Sequence, residues 1–201
     1  MQAPDPAKQA LRERLLELRR GLTQIDERSV VLTQKLLEHS LWQRARGLTA
    51  FVGVRNEPDT HPLLERSLAA GKTVWLPRLI GRGRMAFWPC ADLSTLEPLG
   101  KMGLREPPIV GEGVVAPGPE HGVDLVLVPG LGFGRDGARI GFGAGHYDRA
   151  FATRPADSTP IFCGVCFSEF LDPFGQQVPM ASHDVRMHYV VTELGVERCA
   201  T

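Results

Sequence analysis

The sequence predicts an α/β fold with a mainly parallel sheet and helices on both faces. Short apolar runs alternate along the chain with segments of helical periodicity, which is typical of βαβ units. The clearest strand is Asp124 to Val128, an uninterrupted apolar run after its first residue, as expected of a strand covered on both faces. A glycine-rich segment follows this strand and leads into a helix. No internal repeat is present in the sequence.

The composition is that of a globular protein, and we expect residues 1–201 to form one domain. Apolar residues make up 43% and charged residues 23% of the chain, close to the averages for soluble proteins. Since 23 basic residues balance 23 acidic ones, no overall field attracts nucleic acid or an anionic membrane. No apolar run approaches the ~20 residues of a membrane helix, and the first residues lack a signal peptide's apolar core. We expect a cytoplasmic monomer or small homo-oligomer.

Two helices are predicted before the first strand. Asp5 followed by Pro6 is typical of a helix start. The apolar stripe of this helix consists of Leu11, Leu15, Leu18 and Leu22. Thr23 and Asp26 resemble a capping pair, which predicts a second helix extending to about residue 40.

The remaining elements follow from apolar runs and from turn residues. Two further helices are predicted, one between Pro62 and Gly71 and one over 147–153. Residues 94–122 are rich in glycine and proline, so we expect mostly loop there. In addition to the Asp124 run, strands are predicted over 48–54, 73–77, 85–88, 160–166 and 187–192.

Seven glycines lie between Gly130 and Gly145. A strand, a glycine run and a helix start can point backbone N–H groups at an anion, although a mobile loop or tight turns would also use glycine. The match of 132–137 to G-x-G-x-x-G is poor, because a second glycine run follows where the helix should begin. We interpret Asp136-Gly137 as a two-residue turn and residues 139–145 as a phosphate cradle.

Several charged residues admit two interpretations. Asp148 either holds Mg²⁺ against phosphate or stabilises the helix dipole. Lys8 and Arg12 share a helix face, which is either solvated or faces an anion. Glu57 follows a strand, where ligand contacts are common in α/β folds, yet a loop carboxylate is equally ordinary. His183-Asp184 is either part of a site or a turn.

The four cysteines are too few for a disulfide framework at this length. Cys163 and Cys166 form a C-x2-C within an apolar run, and no second such pair is present. We interpret them as small apolar residues of a buried strand.

Taken together, these segments resemble the 5-formyltetrahydrofolate cyclo-ligase family over nearly the whole chain. The motifs are Lys8-x-x-x-Arg12, Glu57-x-Asp59-Thr60, Gly71-Lys72-x-Val74-x-x-Pro77-Arg78, Arg105-Glu106-Pro107, Asp124-Leu-Val-Leu-Val-Pro129-Gly130, Gly137-x-Arg139-Ile140-Gly141-x-Gly143-x-Gly145-x-Tyr147-Asp148-Arg149, Val178-Pro179, His183-Asp184-Val185 and Val191-Thr192-Glu193. The glycine-rich motif is the most specific of them. The resemblance implies a fold related to the sugar-phosphate isomerase and CoA-transferase group.

The resemblance also implies the reaction and its ligands. In such enzymes ATP phosphorylates the formyl oxygen of 5-formyltetrahydrofolate, N10 closes onto the activated carbon, and phosphate leaves to give 5,10-methenyltetrahydrofolate. It implies ATP and Mg²⁺ as cofactors and a folate as the small-molecule substrate.

Residue roles are carried over from the resemblance by position. ATP would be bound by Lys8, Arg12, Arg139, Gly141, Gly143, Gly145 and Tyr147. The folate site would include Val52, Glu57, Phe142 and His146. Arg139 and Tyr147 would be catalytic, and Asp148 and Asp184 would bind Mg²⁺.

The chain departs from the family pattern near the two ligands. The departures are Phe142, Ala144, His146, Phe170, Ala181 and His188. Two alternatives therefore stand beside a cyclo-ligase. One is a folate- or nucleotide-binding protein of the same fold without turnover, and the other is an ATP-dependent enzyme with a different acceptor.

Overall fold

The computed structural model describes residues 5–81, 83–99, 104–152, 160–182 and 184–200. Its helices are Pro6–Arg20 (α1), Ile25–Glu38 (α2), Ser40–Arg44 (α3), His61–Ala69 (α4) and His146–Phe151 (α5). Its strands are Gly47–Thr49 (β1), Thr73–Leu79 (β2), Met85–Pro89 (β3), Glu97–Leu99 (β4), Leu104–Glu106 (β5), Leu125–Pro129 (β6), Gly132–Phe133 (β7), Arg139–Ile140 (β8), Ile161–Val165 (β9), Tyr189–Thr192 (β10) and Gly195–Arg198 (β11).

Seven strands form the central sheet in the order β11-β10-β9-β6-β1-β2-β3. The five inner strands are parallel, whereas β3 and β11 pair antiparallel at the two edges. This arrangement confirms the predicted mainly parallel α/β sheet. The chain moves to one side of β1 to form β2 and returns to its other side for β6, so the strand order switches direction between β1 and β6.

Strand β6 shows how the sheet is covered on both faces. Leu125 and Leu127 belong to the apolar cluster that contains residues of α2 and α4. Val126 and Val128 belong to the cluster that contains residues of α1 and α5. Because successive side chains of a strand point to opposite faces, the helices cover both faces, as predicted.

Helix α1 begins and ends as its sequence predicts. The Asp5 carboxylate accepts hydrogen bonds from the N–H groups of Ala7 (2.9 Å) and Lys8 (3.5 Å). Leu11 and Leu15 are fully buried against the sheet, and Gly21 ends the helix.

The start and end of the second helix differ from the prediction. Gln24, with a φ of 55°, is the N-cap of α2, and no side chain caps the helix, so the Thr23–Asp26 pairing is wrong. The helix ends at Glu38, and the separate helix α3 follows directly. The physical reason is the extended backbone of His39, which interrupts helical hydrogen bonding.

The first strand is also shorter than predicted. Pairing within the sheet stops near Thr49, and residues 50–54 leave the sheet as an extended loop. Ala50 and Phe51 stay buried in the apolar core, so their hydrophobicity reflects packing rather than strand pairing.

Three smaller features were missed or misplaced by the sequence analysis. Residues 94–122, predicted mostly as loop, include the β4–β5 hairpin. Strand β11 was missed. The turn between β7 and β8 has three residues, 135–137, because Gly134 and Ala138 still pair (2.9 Å) and Gly137 takes a φ of 83°. The end of the predicted helix at residue 153 lies outside the described residues.

In the described part of the chain, no helix combines the length and the apolar character needed to cross a membrane. The single-domain organisation of residues 1–201 stays a prediction.

The contact between Gly164 of β9 and Phe133 of β7 yields a test of core packing. A β-carbon at Gly164 would overlap the fully buried ring of Phe133. We expect Gly164→Ala to lower the free energy of unfolding by about 1–3 kcal/mol, the usual cost of overpacking, as measured by urea denaturation. Gly21→Ala is the control, because its β-carbon would meet only the Leu18 carbonyl at 3.6 Å. Adding Phe133→Leu should relieve part of the loss, and a Gly164→Ala protein as stable as the parent would contradict the packing described.

Candidate active site

A cavity of about 1190 Å³ opens at the carboxyl ends of the parallel strands. Its walls come from the loop that follows β1, from the last residue of β6, from the end of β2, from α1 and from the segment between β8 and α5. Ligands of open α/β sheets bind at such a point, where the strand order switches direction. All thirteen residues singled out by the sequence analysis line this cavity: Lys8, Arg12, Val52, Glu57, Arg139, Gly141, Phe142, Gly143, Gly145, His146, Tyr147, Asp148 and Asp184.

The glycines of the cradle are needed for its shape. A β-carbon at Gly141 would lie 2.9 Å from Nη1 of Arg139, and one at Gly145 would lie 3.0 Å from Nη1 of Arg149. Gly143 has a φ of 100°, which L-residues rarely adopt. The segment therefore leaves bare backbone at the cavity wall and lets two guanidinium groups approach it.

Helix α1 contributes two cations to the same wall. Lys8 is buried and forms an ion pair with Asp184. Arg12 is half-buried, and its Nε donates to the carbonyl oxygen of Gly141 (3.0 Å). Of the two interpretations, the solvated basic face is therefore wrong for these residues, because both are turned into the molecule.

Arg139 and Asp148 form a second ion pair beside the cradle. Nη2 of Arg139 lies 2.7 Å from Oδ2 of Asp148, and its Nη1 donates to the carbonyl of Pro129 (3.3 Å). Burial alone would raise the pKa of Asp148, but Arg139 and the N–H of Val185 bring that pKa below its usual value. The carboxylate is therefore ionised at neutral pH. Nε of Arg139 is buried and has no hydrogen-bond partner among the residues that the structure describes.

Tyr147 presents a second buried polar atom without a partner. Its Oη is unsatisfied within the described part of the chain. Burial is the main cause that raises the pKa of Tyr147 above its usual value, so its hydroxyl keeps the proton and can donate a hydrogen bond. The guanidinium of Arg139 lies 5.7 Å from the centre of the Tyr147 ring.

His146 begins helix α5 at the cavity wall. Burial, followed by the charge of Arg149, lowers the pKa of His146. The imidazole is thus neutral at neutral pH, and this side chain adds no cation to the cradle.

Glu57 lies in the loop after β1, where it lines the cavity and is buried. Its Oε2 accepts from the N–H of Val54 (3.1 Å), and its Oε1 is 3.4 Å from Nη1 of Arg19. Burial raises the pKa of Glu57, while Arg19 opposes that rise. Val52 and the exposed ring of Phe142 line the same cavity.

The donor set at the cavity wall fits a magnesium ion bound together with phosphate. Among the described residues, no group of three or more His, Cys, Asp or Glu side chains could hold a metal without a substrate. Mg²⁺ at nucleotide sites usually takes one or two carboxylates and completes its shell with phosphate oxygens and water. Asp148 and Asp184 both line the cavity, and their carboxylates are the ligand type that such a magnesium ion takes.

Four residues of the cavity wall or its immediate support had been given no role by the sequence analysis. Arg19 is a buried residue of α1, on the same helix face as Leu11 and Leu15, and that periodicity was the signal available for it. The other three line the cavity and are Arg78, Glu106 and Arg149. Glu106 is buried, and its Oε2 lies 3.7 Å from Nε of Arg78. This Oε2 atom has no hydrogen-bond partner in the described chain.

The structure agrees with the interpretation of Cys163 and Cys166 as small apolar residues in the core. Cys163 lies in β9, and Cys166 follows it; both are free and fully buried. Burial raises the pKa of both thiols, so neither is a reactive thiolate.

Comparisons with known proteins agree with this fold and cavity. The model of the 5-formyltetrahydrofolate cyclo-ligase family matches residues 4–193. The 5-formyltetrahydrofolate cyclo-ligase of Mus musculus is 29% identical, with 93% of this chain and 94% of the relative covered. For the enzyme of that name from Mycolicibacterium smegmatis, identity is 31%, with 92% and 93% covered.

A solved structure supports the same assignment. The NMR structure of Aquifex aeolicus 5,10-methenyltetrahydrofolate synthetase superposes with a TM-score of 0.76 at 27% identity, covering 96% of this chain and 93% of that one. Sequence and structural matches both extend over nearly the whole chain. The chain therefore belongs to the 5-formyltetrahydrofolate cyclo-ligase family, as its sequence motifs indicated.

Proposed function

We propose that this protein converts 5-formyltetrahydrofolate and ATP into 5,10-methenyltetrahydrofolate, ADP and phosphate. Besides membership of the family, one observation of the structure supports this proposal. A single cavity has a bare glycine segment with Lys8, Arg12 and Arg139 along one part of its wall, and the buried carboxylate Glu57 along another. A polyanion and a ligand with N–H donors can thus be bound side by side.

The bonds that change follow from the overall reaction. The formyl oxygen forms a bond to the γ-phosphorus of ATP while the bond to the bridging oxygen breaks and ADP leaves. N10 then attacks the formyl carbon and loses its proton, and the carbon–oxygen bond breaks to release phosphate. An amide oxygen is a poor leaving group, and phosphorylation makes it a good one, so the protein's work is mainly positioning and neutralising charge.

The cations of the cavity would bind the phosphates. Lys8, Arg12 and Arg139 are held by protein acceptors before any ligand enters, and oriented charges require little reorganisation during the reaction. The backbone N–H groups of residues 141–145 would add donors, and a β-carbon at Gly141 or Gly145 would come within about 3 Å of the guanidinium of Arg139 or Arg149.

Arg139 and Tyr147 are the proposed catalytic residues. The buried Nε of Arg139 and Oη of Tyr147 lack partners in the described chain, and leaving such donors unsatisfied costs about 1–3 kcal/mol each. Both atoms are donors, so an oxygen of the transferring phosphoryl group would satisfy them as its charge develops.

Asp148 would hold Mg²⁺, with Asp184 as its second carboxylate. When bound, the ion neutralises charge on the phosphate oxygens. Both carboxylates are already paired with cations, so their orientation is set by Arg139 and Lys8.

The folate would lie along Val52, Glu57, Phe142 and His146. Glu57 accepts N–H groups of the pterin, and the exposed ring of Phe142 provides an apolar surface. Residues 142–146 then lie between the two ligands. The cytoplasmic location and the monomeric or small homo-oligomeric state stay predictions.

A coupled assay tests the proposal directly. Purified protein with 5-formyltetrahydrofolate and Mg-ATP should form methenyltetrahydrofolate, detected by its absorbance, and ADP in equal amounts. Tight ligand binding in calorimetry without ADP release would instead indicate a non-catalytic binding protein. ADP release only with another formylated acceptor would indicate a different substrate.

Two substitutions test the residues of the cavity wall that are proposed to bind phosphate and Mg²⁺. Arg139→Ala and Asp148→Asn should each lower kcat/KM by more than about tenfold, or about 1.4 kcal/mol of transition-state stabilisation, and Asp148→Asn should also raise the Mg²⁺ concentration needed for half-maximal rate. The controls are Arg135→Ala, which removes two exposed ion pairs of the β7–β8 turn, and Asp124→Asn, which changes the residue just before β6. Unchanged turnover in both cavity variants would refute the assignment.

Gly143 tests the cradle separately. Its φ of 100° makes alanine strained by about 1–3 kcal/mol, so Gly143→Ala should raise the KM for ATP by about tenfold through a displaced backbone. Gly175→Ala carries similar strain at a φ of 65° in an open turn away from the cavity, and should leave the KM for ATP unchanged. Equal effects of the two variants would argue against a role for the cradle in ATP binding.

A further inference from the structure

Arg19 is a charged residue of α1 that lies behind the cavity wall, and its burial requires an explanation. Its side chain is 5% exposed, whereas the neighbouring Arg20 side chain is 75% exposed. Burying a guanidinium costs several kcal/mol unless strong partners compensate. The partners of Arg19 therefore indicate what the residue does.

The Arg19 side chain joins the loops that follow β1 and β6. Its Nη1 is 3.4 Å from Oε1 of Glu57, and its Nη2 donates to the carbonyl of Gly130 at 2.7 Å. The side chain of Asn56 donates to the backbone carbonyl of Arg19 at 3.1 Å. These two loops border the point where the strand order switches, so Arg19 connects both sides of the cavity floor.

The guanidinium also lies against two aromatic rings. Its central carbon is 5.5 Å from the ring centre of Phe142 and 5.3 Å from that of Phe170. Phe142 belongs to the glycine segment that faces the phosphates, so the same cation contacts the cradle from behind.

We propose that Arg19 is a positioning residue for the folate side of the cavity, where it orients the Glu57 carboxylate and opposes its protonation. The inference rests on the proposed function, and it assigns a role to a residue that does not line the cavity itself. Arg19 acts through Glu57, whose second oxygen is fixed by the N–H of Val54. The carboxylate can then accept N–H groups from the substrate in one orientation.

The electrostatic surroundings of the pair determine how it responds to pH. Burial raises the pKa of Glu57, and Arg19 is the largest influence that opposes the rise. In the part of the chain that the structure describes, Tyr147 on α5 also interacts with Glu57, and Cys166 after β9 with Arg19. Both of these groups have pKa values raised by burial and are neutral. Without Arg19 the pKa of Glu57 would therefore rise further, and the ionised acceptor would be lost at a higher pH as the medium is acidified.

Arg19→Met tests this role, with Arg20→Met as the matched control on the same helix. At the acid end of the parent protein's active pH range, Arg19→Met should raise the KM for 5-formyltetrahydrofolate by more than about tenfold, and the effect should shrink at the alkaline end as Glu57 ionises. The KM for ATP should change by less than about twofold. Arg19→Lys, which keeps the charge, should retain the acid limit of the parent enzyme. A Glu57→Gln background should remove the pH dependence that Arg19→Met introduces.

Two results would overturn the inference. One is an unchanged folate KM in Arg19→Met at both ends of that pH range, and the other is a parallel rise of both KM values without a pH shift, as a purely structural role predicts. An Arg19→Met protein without a cooperative unfolding transition would not be folded well enough for this test. The Arg19→Met/Glu57→Gln double variant and Arg19→Lys then test the inference, because neither leaves a buried charge without a partner. If the parent protein has no turnover, the proposed function fails, and calorimetric binding of 5-formyltetrahydrofolate to the same variants at the acid and alkaline ends of the pH range in which the parent is folded still tests Arg19.

Discussion

The cavity depends on how its positive side chains are held when they are taken out of water. A buried cation without a partner costs several kcal/mol, and the chain meets this constraint with acceptors that come from distant segments. Lys8 pairs with Asp184, Arg19 with Glu57, and Arg139 with Asp148. These contacts hold α1, the loop after β1, the glycine segment and the loop before β10 around a common space.

The same pairs define two kinds of surface in one cavity. Toward the glycine segment, the cations stand beside bare backbone, where a side chain at Gly141 or Gly145 would come within about 3 Å of a guanidinium. Toward the loop after β1, the cavity wall carries the buried carboxylate of Glu57, and its partner Arg19 does not line the cavity. In the proposed reaction, an anion and an N–H donor would therefore contact different groups of one cavity at the switch point of a single sheet. This separation suits a reaction in which a phosphoryl group passes from one ligand to another.

The two carboxylates proposed as metal ligands, Asp148 and Asp184, are also the ion-pair partners of Arg139 and Lys8, the cations proposed to bind phosphate. Asp148 is ionised because Arg139 and the N–H of Val185 outweigh the effect of burial on its pKa. Its charge is thus available to a divalent ion without a proton having to leave. When ligands bind, some ion pairs within the chain would be replaced by contacts with phosphate and metal. The side chains would need little reorientation for this exchange.

Local patterns in the sequence determined most of the fold, and the family resemblance supplied thirteen residues that the structure brings together in the cavity wall. The Asp5 cap, the alternation of strands and helices and the glycine motif each rest on interactions within a few residues, so helix α1, the parallel sheet and the cradle were predictable. Tertiary structure decided which residues are paired across the chain. Thr49 ends its strand because pairing to Trp75 ends there, and Gln24 rather than Thr23 precedes the second helix. The spacing of Arg19 from Leu11 and Leu15 indicates only that it lies on the buried face of α1. Only folding places Glu57, 38 residues away, and Gly130 against it, because long-range ion pairs leave no mark at short spacing.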